Sequence, residues 1–165
     1  DLNGHTLSNT AECKDKITIN DGCHLKLIDT SESKDGSINA ILATGNYNPS
    51  AISMNEGASL TVYDGNISGV TAAIYVRGAA TITIKRGSFK NVGSSAPIIV
   101  TAKSMITIDG GTFIAGTTPK PMIIFGTNGK GSTIIVNDCD YNGDIVDTNL
   151  LEKREVELID NRENK

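Results

Sequence analysis

Four segments of this chain align without gaps: LTVYDGNI (Leu60–Ile67), ITIKRGSF (Ile82–Phe89), ITIDGGTF (Ile106–Phe113) and IIVNDCDY (Ile134–Tyr141). LNGHTL (Leu2–Leu7) matches the end of that unit, and LKLID (Leu25–Asp29) and VELID (Val156–Asp160) match its start. The anchors at 25, 60, 82, 106, 134 and 156 are separated by 35, 22, 24, 28 and 22 residues. A repeat of this length limits the fold more than any other property, because one unit cannot bury its own apolar face and must stack on its neighbours.

A second strand precedes each unit. ITINDGCHL (Ile17–Leu25), AISMNEGASL (Ala51–Leu60), AIYVRGAATI (Ala73–Ile82) and PIIVTAKSMI (Pro97–Ile106) align on their apolar positions, and PMIIFGTNGKGSTI (Pro121–Ile134) joins them with four residues inserted in its turn. Alternation along a strand assigns sides. The inward columns read Ile17, Ile52, Ile74, Ile98, Met122; then Ile19, Met54, Val76, Val100, Ile124; then the small corner residues Cys23, Ala58, Ala80, Ser104, Ser132. After the corner come Leu25, Leu60, Ile82, Ile106, Ile134, Val156, then Leu27, Val62, Ile84, Ile108, Val136, Leu158, and finally Leu7, Ile67, Phe89, Phe113, Tyr141. A sandwich of hairpins would not keep the same columns at one-unit spacing. The expected fold is therefore all-β: a right-handed single-stranded parallel β-helix of six to seven rungs, each of 22–28 residues, forming one domain over residues 1–165. Asp64-Gly65, Arg86-Gly87 and Gly110-Gly111 supply bends. Residues 31–49 read as a polar loop insert, and the charged stretch 150–165 as a terminal strand or, alternatively, a capping helix from Leu150 to about Ile159.

The repeats LNGHTL, ITINDGCHLKLID, AISMNEGASLTVYDGNISG and ITIDGGTF resemble the pectate-lyase-like β-helix repeats of large surface proteins from anaerobic gut bacteria. The resemblance covers nearly the whole chain and implies an extracellular setting, at the cell surface or cell wall. It also implies a non-catalytic role in adhesion, binding or spacing, with a carbohydrate-active enzyme (a polysaccharide lyase or hydrolase), or a fragment of one, as the alternative. The opening DLNGHTL reads as the middle of a strand-turn unit, so the chain is expected to be a segment of a longer protein.

Composition narrows the partners. A net charge of −4 without basic clusters argues against nucleic acid, and no apolar run suits membrane insertion. The expected partners are a host or cell-wall glycan or a surface protein, with self-association as a further option. The outward column Thr18, Ser53, Tyr75, Ile99, Ile123 turns apolar over three rungs. A strip of this kind is covered by the chain's own loops or offered to a partner. Tyr63 and Tyr47 would add aromatic platforms if the ligand is a sugar.

Three acidic residues, Asp109, Asp138 and Asp140, gather with Asn137, a set that would suit calcium or a carboxylate pair for sugar chemistry. Asp and Asn beside glycine also serve simply as turn residues, and the simpler reading assigns no cofactor and no catalytic residue. Lys85 with Asp109, and Asp64 with Arg86, fall one rung apart as surface ion pairs. His5 and His24 have no convergent partners in sequence, and TNGKGST (Thr127–Thr133) lacks phosphate-loop spacing. A Cys13–Cys23 bridge is an option in a secreted protein, but buried or half-buried free thiols, Cys139 included, are the plainer expectation.

Overall fold

The computed structural model describes residues 1–8, 15–41, 48–118 and 120–162. Sheet 1 contains β2 (Asp15–Ile19), β5 (Ser50–Met54), β8 (Ile74–Val76), β11 (Ile98–Val100) and β14 (Ile123–Phe125). Sheet 2 contains β3 (His24–Leu27), β6 (Ser59–Val62), β9 (Thr81–Ile84), β12 (Met105–Ile108), β15 (Thr133–Val136) and β16 (Glu157–Asp160). Sheet 3 contains β1 (Thr6–Ser8), β4 (Ser37–Ala40), β7 (Asn66–Gly69), β10 (Ser88–Asn91) and β13 (Thr112–Ile114). The chain visits the three sheets in turn, and every strand pairs in parallel with its counterpart one rung away. This is the expected parallel β-helix. Stacking pairs each backbone N–H and C=O with the rungs on either side, which is how rungs too small to fold alone become stable together.

Branched side chains fill the interior because they pack well on a pleated surface. Ile52, Ile74 and Ile98 stack in sheet 1, Leu60, Ile82 and Ile106 in sheet 2, and all are fully buried. Sheet 3 contributes Ile38, Ile67, Phe89 and Phe113, the last two stacked with ring centroids 5.0 Å apart. The three-residue bend from sheet 2 to sheet 3 repeats on successive rungs. Gly87 and Gly111 both take φ of +114°, and a Cβ on Gly87 would stand 2.7 Å from the carbonyl oxygen of Gly65. Only glycine fits both the φ and the close approach.

The structure revises the expected layout at five places. Ile123, not Met122, stacks on Ile98, and Phe125 continues the column of Val100, so Ile124 faces outward where Ile123 was expected. One extra residue precedes this strand, and a one-residue slip exchanges the two faces. Ile134 stacks on Leu158 rather than Val156. That slip is two residues and preserves the faces; Val156 instead closes the small corner column, next to Ser132, whose carbonyl accepts from the Glu157 N–H. The stretch 31–49 is not all loop, since β4 lies within it and buries Ile38 and Ala40. At the C-terminal end both alternatives are present in sequence: helix α1 (Thr148–Arg154), then β16. Asp147 caps α1 by accepting from the Asn149 N–H, and Glu155 ends it in the left-handed conformation. Cys23, expected at least half-buried, is an exposed free thiol; Cys139 is free and half-buried, and Cys13 lies outside the described residues.

Candidate binding faces and a cleft

The apolar strip of sheet 1 is Tyr75, Ile99 and Ile124, each half-buried, while Ile123 is a core residue with no exposure. Arg77 closes one end of it. Its guanidinium lies 4.5 Å over the Tyr75 ring, its Nε donates to Ser53 Oγ at 2.7 Å, and its terminal nitrogen donates to Asp15 Oδ2 at 2.9 Å. Asp15 Oδ1 in turn accepts from the Ser50 N–H. The expected contact strip is thus partly engaged by a clamp across three rungs, which spends the Tyr75 ring on Arg77 rather than leaving it open.

Sheet 2 presents a different surface. Its outward columns are His24, Ser59, Thr81, Met105, Thr133, Glu157 and Lys26, Thr61, Thr83, Thr107, Ile135, Ile159. The middle of this face is uncharged, alternating hydroxyls and methyls, with Met105 50% exposed and Ile159 39% exposed. Tyr63, also 39% exposed, stands at its edge. Six strands of four residues make a flat area of roughly 24 by 13 Å, on the order of 300 Å². Sequence reasoning passed over this face because threonine in a strand is ordinary strand composition.

Along the same edge runs a polar ladder. Lys85 Nζ donates to Asp109 Oδ2 at 2.6 Å, Asn137 Nδ2 to Asp109 Oδ1 at 2.6 Å, and Asn161 Nδ2 to Asn137 Oδ1 at 2.7 Å. Hydrogen bonds from Lys85 and Asn137 hold the Asp109 carboxyl below its ordinary pKa, and Asp109 raises that of Lys85. Both Asp109 oxygens are therefore engaged within the ladder. Asp138 and Asp140 lie instead at a shallow depression beside Arg86, Gly110 and Cys139. Among the described residues no three His, Cys, Asp or Glu side chains converge as metal ligands. The expected pairs both form, Lys85–Asp109 at 2.6 Å and Arg86–Asp64 at 3.8 Å. His24 Nδ1 lies 2.5 Å from Ser59 Oγ on the open face of sheet 2, and His5 is exposed. Tyr47 lies outside the described residues.

A cleft of about 640 Å³ opens where sheet 3 ends. Beyond β13 the next rung contributes only the bridge from Thr112 to Asp140, and the chain then turns through Tyr141 and Asp144. The cleft lies between this turn and the one bearing Gly116, Thr117 and Lys120. Tyr141 is half-buried against the core, and its hydroxyl donates to the Lys120 carbonyl. No helix among the described residues is long and apolar enough to cross a membrane. No family model, curated protein or solved structure matches the chain.

Proposed function

We propose that this chain is a non-catalytic extracellular binding module of a bacterial surface protein, and that the outer face of sheet 2 contacts an uncharged polysaccharide. The observation that carries this reading is the grid of Ser59, Thr61, Thr81, Thr83, Thr107 and Thr133 around the exposed Met105, uncharged along its strands and bordered at one corner by Lys103. Hydroxyls spaced by rung and strand match a ligand that repeats its own hydroxyls, and the interleaved methyls and thioether suit the C–H faces of sugar rings. Size favours a slender chain as the ligand: the face measures roughly 300 Å² in projection, and a standard protein–protein interface buries ~800 Å² of accessible surface per side. The extracellular setting rests on the likeness of LNGHTL and ITIDGGTF to surface-protein repeats.

The test is retention on insoluble neutral polysaccharides, together with a glycan array. Thr83→Lys combined with Thr107→Lys places two charges at the centre of the face and should lower retention by about tenfold or more. Ser68→Lys on sheet 3, and Ile99→Asp on the sheet 1 strip, should leave it unchanged. Retention untouched by the double variant, but abolished by Ile99→Asp, would overturn the assignment.

A further inference from the structure

We infer that the cleft beside Tyr141 is a second, pocket-type sugar site that takes a single neutral sugar ring, such as a chain end or branch. The proposal rests on the glycan reading of the module but not on the sheet 2 face. Its volume, about 640 Å³, falls within the ~300–1,000 Å³ typical of small-ligand sites. Its walls combine an aromatic residue, Tyr141, with a polar rim.

Tyr141 provides the platform. The register that pairs Thr112 with Asp140 puts Tyr141 in the place that follows Phe89 and Phe113. Tyr141 packs against the core and also lines the cleft. Two features hold it still. The hydroxyl donates to the Lys120 carbonyl, and Gly143 passes so close that a Cβ there would stand 3.1 Å from Tyr141 Cε1. A ring fixed before binding loses little entropy when a sugar stacks on it.

The rim supplies directional chemistry. Asn142 and Asp144 are exposed on the same turn, and Thr117 lies across the cleft on the turn after β13, beside Thr118, whose hydroxyl donates to the Ser94 carbonyl. Amide, carboxylate and hydroxyl groups together can donate to and accept from vicinal hydroxyls. Charge then selects the ligand class. Asp144 and Asp147 line the cleft against one cation, Lys120, so a uronate, sulfate or phosphate meets net repulsion. Burial first, and then the charge of Asp144, raise the Tyr141 pKa, in keeping with a negative local field.

The experiment is NMR titration of the full chain with neutral trisaccharides of glucose, mannose and N-acetylglucosamine, and with trigalacturonic acid as the anionic counterpart. At least one neutral trisaccharide should bind, with trigalacturonic acid about tenfold weaker or more. Tyr141→Ala should weaken binding at least about tenfold, while Tyr141→Phe, which keeps the ring, retains most of it. Asp144→Lys, an exposed change that cannot unfold the core, should reduce the preference for neutral over anionic sugar. The proposal is overturned if no neutral trisaccharide binds, if trigalacturonic acid binds equally well, or if Tyr141→Ala binds as the parent does. The Thr83→Lys/Thr107→Lys variant separates the two readings: loss of polysaccharide retention with trisaccharide binding intact supports both sites, whereas failure of retention in the parent, with trisaccharide binding intact, removes the face and leaves the cleft.

Discussion

Single buried polar residues set the shape of the turns. Asn91 is 1% exposed, and its Nδ2 donates to the carbonyls of Val70 at 2.9 Å and Thr71 at 2.6 Å while its Oδ1 accepts from the Ser95 N–H. Asn91→Leu leaves these groups unpaired and should cost about 2–4 kcal/mol in denaturant unfolding. Asp29 plays the same part near the start of the chain. Burial raises its pKa, but hydrogen bonds from the Gly4 N–H, the Ser31 hydroxyl, the Gly36 N–H and the Ser31 N–H outweigh this and bring it from 3.8 to about 2. A depressed carboxylate stabilises the fold fully above its unfolded pKa and ceases to do so as pH falls through the folded one. The melting-temperature gap between the parent and Asp29→Asn should therefore be constant above about pH 5 and close between 3.8 and about 2. A gap that widened on acidification would contradict this account. The bend glycines could be read from sequence because their dipeptides recur, but Asn91 and Asp29 could not: Asx residues beside glycine and serine look alike whether they hold a turn together or only decorate it.

At the scale of strands, the columns were readable wherever apolar and polar residues alternate. Thr81–Ile84 and Met105–Ile108 show their phase plainly. Met122 to Phe125 are apolar at all four positions, so alternation carries no phase there, and matching Pro121 to Pro97 put the extra residue on the wrong side of the strand. β4 escaped notice because its short SINA lies among polar neighbours. The register makes a sharp prediction. Ile123→Asp buries an unpaired charge and should unfold the last rungs or cost more than about 3 kcal/mol, whereas Ile124→Asp should be tolerated within about 1 kcal/mol. Thermal melts of the two variants give opposite answers for the two registers. Phe113→Ala removes half of the Phe89 stack and should cost about 3–5 kcal/mol.

For the molecule as a whole, the class of fold was legible and the candidate site was not, for one reason. Stacking imposes repetition on the interior, which sequence records as columns, while the threonine face proposed for binding uses residues that any strand would carry. The Lys130–Glu155 ion pair, at 2.7 Å, is largely solvated and contributes little. Lys130→Ala, which removes that pair, should therefore shift the melting temperature only slightly, at low salt as at about 1 M, where screening acts within about 3 Å.

The rung itself also fixes how far such a protein can reach. Most turns of the coil consume 22–28 residues but advance only ~4.8 Å along the axis. That is about 0.2 Å per residue, against 1.5 Å in an α-helix, so a stand-off of ~100 Å would take roughly 500 residues in this form. A chain folded this way gains breadth instead of distance: every added rung lengthens three ruled faces at once, and a ligand much longer than the domain can be held by many weak contacts laid in line.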